Sequence, residues 1–204
     1  NFTDAVKLVA ERGKLMQQAV PAGEGGMAAI LGLDDDAVRQ VCVDAADGDV
    51  LEAVNFNSPG QVVVAGSKAA IDRVVVLAKE RGAKRALPLP VSVPSHCALM
   101  KPAAEKLATV LAGITVSSPG IPVINNVDVT AANDADAIRD ALVRQLYSPV
   151  RWVETVQKMA GDGTDKLVEC GPGKVLVGLN KRIDKSISAM ALFDPATLDA
   201  ALEG

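Results

Sequence analysis

The chain has 204 residues, of which 49% are hydrophobic, 23% charged and 2% aromatic, and its formal net charge is −4. This composition excludes a disordered chain and is typical of a globular protein with an aliphatic core. The negative charge and the few aromatic rings argue against a nucleic-acid partner, and no apolar run approaches the roughly 20 residues of a membrane-spanning helix.

The first predicted element is a helix over residues 3–20, with Thr3 or Asp4 as its cap. Arg12 lies four residues before Met16 and therefore on the same apolar face of this helix. Its aliphatic stem could cover that face while the guanidinium stays in water. Alternatively, Arg12 is a partly buried fork that binds a carboxylate in two-pronged fashion. The pattern leaves both interpretations open.

A compact unit over residues 25–89 comes next. Its predicted elements are strand 27–32, helix 34–46, strands 50–56 and 61–65, helix 68–81 and strand 85–89. This β-α-β-β-α-β order is that of a ferredoxin-like unit. Asn55 and Asn57 flank its hairpin, where asparagine usually serves turn geometry, although both amides could face a ligand in a cleft between two units.

His96, the only histidine of the chain, follows this unit. Prolines in residues 88–94 favour an extended backbone, and a helix is predicted over residues 97–112. His96 therefore lies on a strand-to-helix connection, a common place for catalytic side chains, and imidazole titrates near neutral pH. The alternative is a hydrogen-bonded loop histidine without chemistry.

The remaining sequence predicts a larger α/β unit. Its elements are strand 122–127, helices 134–147 and 150–160, strand 166–170, helix 174–183 and strand 188–193. Residues 25–89 thus look like an insertion in a larger subdomain made of residues 1–24 and 90–204. The turn at residues 171–174 lacks the spacing of a phosphate loop, so we expect a structural turn, with anion binding at the following helix as the weaker alternative.

Cysteines and charges add two expectations. The three cysteines are an odd number without metal-ligand spacing, which indicates free thiols, a cytoplasmic protein and no metal site. Four basic residues end the second helix of the compact unit and form either a solvated helix end or a docking patch for an acidic protein. These residues are Lys79, Arg81, Lys84 and Arg85.

Five segments occur in an order and spacing that resembles one enzyme family. They are Arg12-Gly13-Lys14-Leu15-Met16, Asn55-Phe56-Asn57-Ser58-Pro59-Gly60-Gln61, Pro94-Ser95-His96-Cys97-Ala98-Leu99-Met100, Gln145-Leu146-Tyr147-Ser148-Pro149-Val150-Arg151-Trp152 and Glu169-Cys170-Gly171-Pro172-Gly173. Together they resemble the malonyl-CoA:acyl carrier protein transacylases of bacterial type II fatty acid synthesis. The resemblance implies an α/β-hydrolase-like acyltransferase subdomain carrying a ferredoxin-like one.

The resemblance also implies roles for five residues. His96 matches the general base, and Gln145 matches the residue whose backbone carbonyl orients the imidazole. Arg12 matches the arginine that binds the malonyl carboxylate, while Met16 and Asn57 match substrate-binding positions. The implied reaction uses malonyl-CoA and acyl carrier protein as partners, with coenzyme A and phosphopantetheine thioesters as substrates and no cofactor. A cytoplasmic monomer is expected.

The sequence departs from the family pattern at the nucleophile. The family serine lies in a Gly-His-Ser-x-Gly elbow, and no such stretch occurs in these 204 residues. Ser92, Ser95 and Cys97 belong to the histidine segment and are not expected to replace it. We therefore expect an acyltransferase whose nucleophile is absent from this chain. The alternatives are a noncatalytic fragment that binds a carrier or ligand, or a serine or thiol hydrolase using His96.

Overall fold

The computed structural model describes residues 1–91 and 93–203. Its elements include both helices and strands, which confirms the mixed α/β class predicted from the sequence. In chain order they are α1 (Phe2–Ala19), β1 (Gly25–Leu31), α2 (Asp35–Ala46), β2 (Leu51–Ser58), β3 (Gln61–Ser67), α3 (Lys68–Glu80), β4 (Arg85–Pro88), a short 3-10 turn (Ala98–Met100), α4 (Lys101–Ala112), α5 (Ala135–Arg144), α6 (Trp152–Gly161), β5 (Lys166–Cys170), α7 (Val175–Ile183), β6 (Ser188–Leu192) and α8 (Pro195–Glu203).

Residues 25–88 form a four-stranded antiparallel sheet in the order β2-β3-β1-β4, with α2 and α3 packed on one face. Alternate positions of β1 and β3 point to those helices because successive strand residues face opposite sides. Ala28, Ile30, Val62 and Val64 are buried on this face. The core of the unit is therefore aliphatic, as the composition predicts.

The opposite face of the same sheet packs on the segment that carries His96. Met27, Val54, Val63 and Ala65 form a buried cluster there with Cys97. Because Cys97 directly follows His96 in the chain, its packing against the sheet fixes the backbone next to the histidine.

The helices α1, α4 and α5 pack together in a second buried cluster, which includes residues next to the histidine segment. Leu15 and Met16 from α1, Leu107 from α4 and Leu146 after α5 are buried in one cluster. The strands β5 and β6 pair in parallel as a separate two-stranded sheet. In the described ranges, no helix has the length and apolar character needed to cross a bilayer.

Two local predictions were wrong, and one helix was missed. The cap of α1 is Asn1, whose side chain accepts a hydrogen bond from the backbone N–H of Asp4, rather than Thr3 or Asp4. The predicted strand 122–127 is absent, and this segment makes only an isolated bridge between Ile124 and Ala131. An apolar run becomes a strand only where a neighbouring strand pairs with it, and the described residues offer none at this position. The helix α8 was not predicted.

Candidate functional site

His96 lies on the connection between β4 and α4 in a left-handed backbone conformation, with φ at 68°. Its backbone N–H donates to the carbonyl of Leu146 at 3.0 Å, and its Nδ1 lies 2.7 Å from the carbonyl oxygen of Gln145. A left-handed φ is uncommon for residues other than glycine and persists only where the surroundings enforce it. The two bonds to the segment after α5 supply that constraint.

The contact with Gln145 fixes the tautomer of the imidazole. A carbonyl oxygen only accepts hydrogen bonds, so Nδ1 carries the proton and donates it. Nε2 is then left with a lone pair that can take a proton from another group. A histidine held in this way has the arrangement of a general base, with a backbone carbonyl in the place of the carboxylate of a catalytic triad.

The surroundings of His96 favour its neutral form. Burial lowers the pKa of the imidazole below its ordinary value, and the positive charge of Arg12 lowers it further. Hydrogen bonds to the backbone at Gln145 and Ser148 oppose this change. Because the net shift is downward, His96 is neutral at pH 7 and can act as a base.

Arg12 of α1 is close enough to His96 for its positive charge to lower the pKa of that imidazole. The side chain is half-buried, and burial lowers the pKa of its guanidinium. Among the described residues no carboxylate forms an ion pair with Arg12, whereas Arg144 pairs with two carboxylates and Arg151 with one. A partly desolvated guanidinium beside an imidazole suits an anionic ligand.

A cleft of about 420 Å³ lies between α1 and the segment before His96. The residues that line it are Gly13, Met16, Gln17, Met27, Pro90, Val91, Val93 and Ser95. Met16 contributes its buried side chain to the wall, and Arg12 and His96 are the immediate sequence neighbours of Gly13 and Ser95. Met16 thus lines the cleft, Arg12 and His96 each adjoin a lining residue along the chain, and the carbonyl of Gln145 holds His96.

Asn57 stands apart from this group. It is half-buried near the end of β2 and is not one of the described residues that line the cleft. Asn55 and Asn57 belong to the strand itself, and the turn that follows contains Pro59 and Gly60. Asn55 also makes an isolated parallel bridge with Val150, which joins β2 to the segment after Gln145.

The other nucleophile candidates in the histidine segment differ in their surroundings. Cys97 is fully buried, its Sγ donates to the carbonyl of Pro94 at 3.2 Å, and burial raises the pKa of its thiol to about 12. A thiol in this state is not a nucleophile at neutral pH. Ser95 is half-buried at the cleft, and Ser92 lies outside the described residues.

The turn at residues 171–174 leads into α7, as predicted. The backbone N–H of Val177 in the first turn of α7 donates to the carboxylate of Glu169 at 2.9 Å. Since this acid already occupies the amino-terminal end of α7, the structural turn is favoured over an anion site.

The basic group of the compact unit is only partly free. Arg81 pairs with Asp44 at 2.9 Å. One of the four basic residues therefore forms an ion pair between the end of α3 and α2. Across residues 1–91 and 93–203, no three His, Cys, Asp or Glu side chains converge on a possible metal position.

The sequence did not reveal two features of the site. One is the backbone of Ser148, which, like that of Gln145, raises the pKa of His96. The other is a close approach of Pro94 to Gly25, where a Cβ atom would lie 2.5 Å from the proline Cγ. The glycine pair at the start of β1 is a signal for such an approach, but glycine pairs are equally typical of loops.

Comparison with known proteins adds a family and several relatives. Residues 1–192 match the sequence profile described as "Acyl transferase domain". The chain is 62% identical over 202 residues to a malonyl CoA-acyl carrier protein transacylase of Salmonella typhimurium, covering 99% of the chain and 65% of the relative. The chain thus spans about two thirds of the length of the curated relative.

Solved structures give the same picture. An acyl carrier protein S-malonyltransferase from Vibrio cholerae superimposes with a TM-score of 0.97 at 63% identity, over 98% of this chain and 66% of that one. A second match is a malonyl-transacylase in complex with a type II PKS acyl-carrier protein, with a TM-score of 0.98 at 57% identity. It covers 100% of this chain and 66% of the other.

Proposed function

Because this chain belongs to the acyl transferase domain family, we propose that it supplies the base and the acyl-binding side of a malonyl-CoA:acyl carrier protein transacylase. The observation that carries the proposal is the 2.7 Å contact between His96 Nδ1 and the carbonyl of Gln145, which leaves Nε2 as a base, while the charge of Arg12 lowers the pKa of the ring. The malonyl transfer named for the relatives requires such a base and an anion-binding group.

In the first half of the proposed reaction, malonyl-CoA acylates a serine. His96 Nε2 takes the serine proton as the oxygen attacks the thioester carbonyl. The carbon–sulfur bond of the thioester then breaks, and the imidazolium returns its proton to the coenzyme A thiolate. The hydrogen bond from Nδ1 to Gln145 holds the ring in place through both proton transfers.

The second half reverses these steps with another thiol. His96 takes the proton of the phosphopantetheine thiol of acyl carrier protein while the sulfur attacks the malonyl ester. The ester bond to the serine breaks, and the serine oxygen recovers the proton from the imidazolium. Acyl carrier protein as the acceptor is supported by the complex of the similar transacylase with its carrier.

The serine itself is proposed to lie outside these residues. No Gly-His-Ser-x-Gly elbow occurs in the sequence, and the chain corresponds to about two thirds of its relatives. Below, "full-length protein" means this chain together with the remaining third that its relatives carry.

Arg12 is proposed to bind the free carboxylate of the malonyl group. Its guanidinium, which has no ion-pair partner among the described residues, and its effect on the pKa of His96 support this role. Met16 is proposed to contact the acyl group from the wall of the cleft. Asn57 remains proposed as a position near the coenzyme A arm, on family resemblance alone.

The finer architecture is also a proposal. We assign residues 25–89 to a ferredoxin-like subdomain and residues 1–24 and 90–204 to an α/β-hydrolase-like one. The sheet order β2-β3-β1-β4 with both helices on one face supports the first assignment. A cytoplasmic monomer without a cofactor completes the proposal, and the free thiols agree with a reducing compartment.

The function is tested by changing Arg12 to alanine in the full-length protein. We expect malonyl transfer to fall about 10- to 100-fold, because a charge-assisted hydrogen bond contributes about 1.5–3 kcal/mol. Transfer of an acetyl group, which lacks the carboxylate, should change little. The measurement is kcat/KM with malonyl-CoA and acetyl-CoA, and Arg39→Ala, on the compact unit, is the matched control. Equal losses on the two acyl groups would contradict the carboxylate-binding role.

A further inference from the structure

Strand β2 carries an acidic residue, Glu52, between the buried Leu51 and the half-buried Ala53. Glu52 is half-buried, and in the described part of the chain it forms no ion pair. A carboxylate that is partly removed from water needs hydrogen-bond donors to replace its hydration. The hydrogen-bond donor to Glu52 therefore shows which chain segment this side chain holds.

That donor belongs to the histidine segment. The backbone N–H of Ala98 donates to Oε1 of Glu52 at 3.2 Å, across 46 residues of sequence. Ala98 begins the 3-10 turn that leads into α4, and its N–H has no partner within that turn. Glu52 thus anchors the backbone two residues after His96.

Strand β2 is also hydrogen-bonded to the segment that follows Gln145, the residue whose carbonyl contacts His96. Val150 N–H donates to the carbonyl of Val54 at 2.7 Å, and Phe56 N–H donates to the carbonyl of Val150 at 3.0 Å. Val150 follows the short segment that presents the carbonyls of Gln145 and Leu146 to His96. Strand β2 is therefore bonded to both chain segments whose contact orients the imidazole.

Resting on the proposed function, we propose that Glu52 is a positioning residue for His96, and that β2 is the element by which the compact unit sets the contact between His96 and Gln145. Glu52 acts as a hydrogen-bond acceptor for Ala98, and not through its charge. Its charge acts on the thiols of Cys42 and Cys97, whereas Arg12 is the charged side chain that acts on His96.

Two substitutions at Glu52 separate these possibilities in the full-length protein. Glu52→Gln keeps a carbonyl oxygen for Ala98 but removes the charge, whereas Glu52→Ala removes the acceptor. The matched control is Asp34→Ala, which removes a side-chain acceptor for a backbone N–H in the same unit, at the cap of α2 and away from His96. The readouts are kcat and KM for malonyl transfer, and solvent exchange of the imidazole Nδ1 proton of His96 by NMR.

We expect Glu52→Ala to lower kcat about 3- to 10-fold with KM for malonyl-CoA unchanged within about twofold, as for the loss of one hydrogen bond that acts on the base. The Nδ1 proton should exchange at least about tenfold faster, because its bond to Gln145 is loosened. Glu52→Gln should restore both readouts to within about twofold of the unmodified protein, and Asp34→Ala should leave both unchanged.

The proposal is overturned if Glu52→Gln is as impaired as Glu52→Ala, or if the Asp34→Ala control changes both readouts equally. If Glu52→Ala does not fold, Ala98→Pro removes the donor at the first position of a helical turn, where proline is tolerated, and should give the same kcat loss and faster exchange. Absence of malonyl transfer in the unmodified protein would contradict the proposed function, while the exchange rates would still decide the role of Glu52.

Discussion

At the scale of single residues, His96 shows what the sequence could and could not reveal. Its singularity, the prolines before it and the helix after it placed it correctly on a connection between a strand and a helix. Its left-handed φ and its bond to Gln145 were not readable from the residues alone, because they depend on a carbonyl 49 positions away. Only the family resemblance linked the two.

The activity depends on pH because the imidazole of His96 must be neutral to act as a base. The positive charge of Arg12 lowers the pKa of this imidazole. Because burial and the Arg12 charge lower the imidazole pKa, kcat/KM should stay constant down to about pH 6.5, the ordinary value for histidine, and fall only below it. Removing the charge by Arg12→Gln should move this fall to higher pH. Acetyl transfer against pH is the measurement, since it does not require the malonyl carboxylate.

The control for this prediction is Arg39→Gln. Arg39 lies over the ring of Phe56 at 4.1 Å and is not one of the groups that act on His96. Its profile should overlay that of the unmodified protein. An Arg12→Gln profile that also overlays it would show that Arg12 does not act on the base.

At the scale of elements, local patterns predicted most helices, and they predicted strands correctly where a neighbouring strand pairs with them. The continuous apolar runs of β1 and β3, the partial alternation of buried positions in β2 and the caps of α2 and α5 are local signals. The segment 122–127 carries a similar apolar pattern without a strand partner in the described residues, so its prediction failed. Strand formation depends on a neighbour, which a local pattern does not contain.

The start of β1 offers a test of how this element supports the histidine segment. In Gly25→Ala, the new Cβ would meet the ring of Pro94 at 2.5 Å, two residues before His96. A proline ring cannot rotate away, so we expect the free energy of unfolding to fall by about 1–3 kcal/mol. Urea denaturation of the full-length protein measures this value.

Gly161→Ala is the matched control for Gly25→Ala. A Cβ added at this helical glycine would meet no atom within 4 Å among the described residues, so the stability should be unchanged or slightly higher. Equal effects of the two substitutions would contradict a specific contact between Gly25 and Pro94.

At the scale of the whole molecule, the site lies where two packed groups of elements meet. The sheet of the compact unit supports Cys97 from one side, and the cluster of α1, α4 and α5 supports Met16 and Leu146 from the other. Element order suggests two subdomains with a boundary near residue 90, and that division stays a prediction. It did not predict that β2 is bonded to both segments of the site, since this requires the folded arrangement.

In the proposed reaction, these residues contribute the base for malonyl transfer and not its nucleophile. The most direct measurement is peptide mapping by mass spectrometry of the full-length protein after brief reaction with malonyl-CoA. We expect one malonyl ester on a serine outside residues 1–204, formed more slowly when His96 is changed to glutamine. A malonyl adduct on Ser92, Ser95 or Cys97 would contradict it.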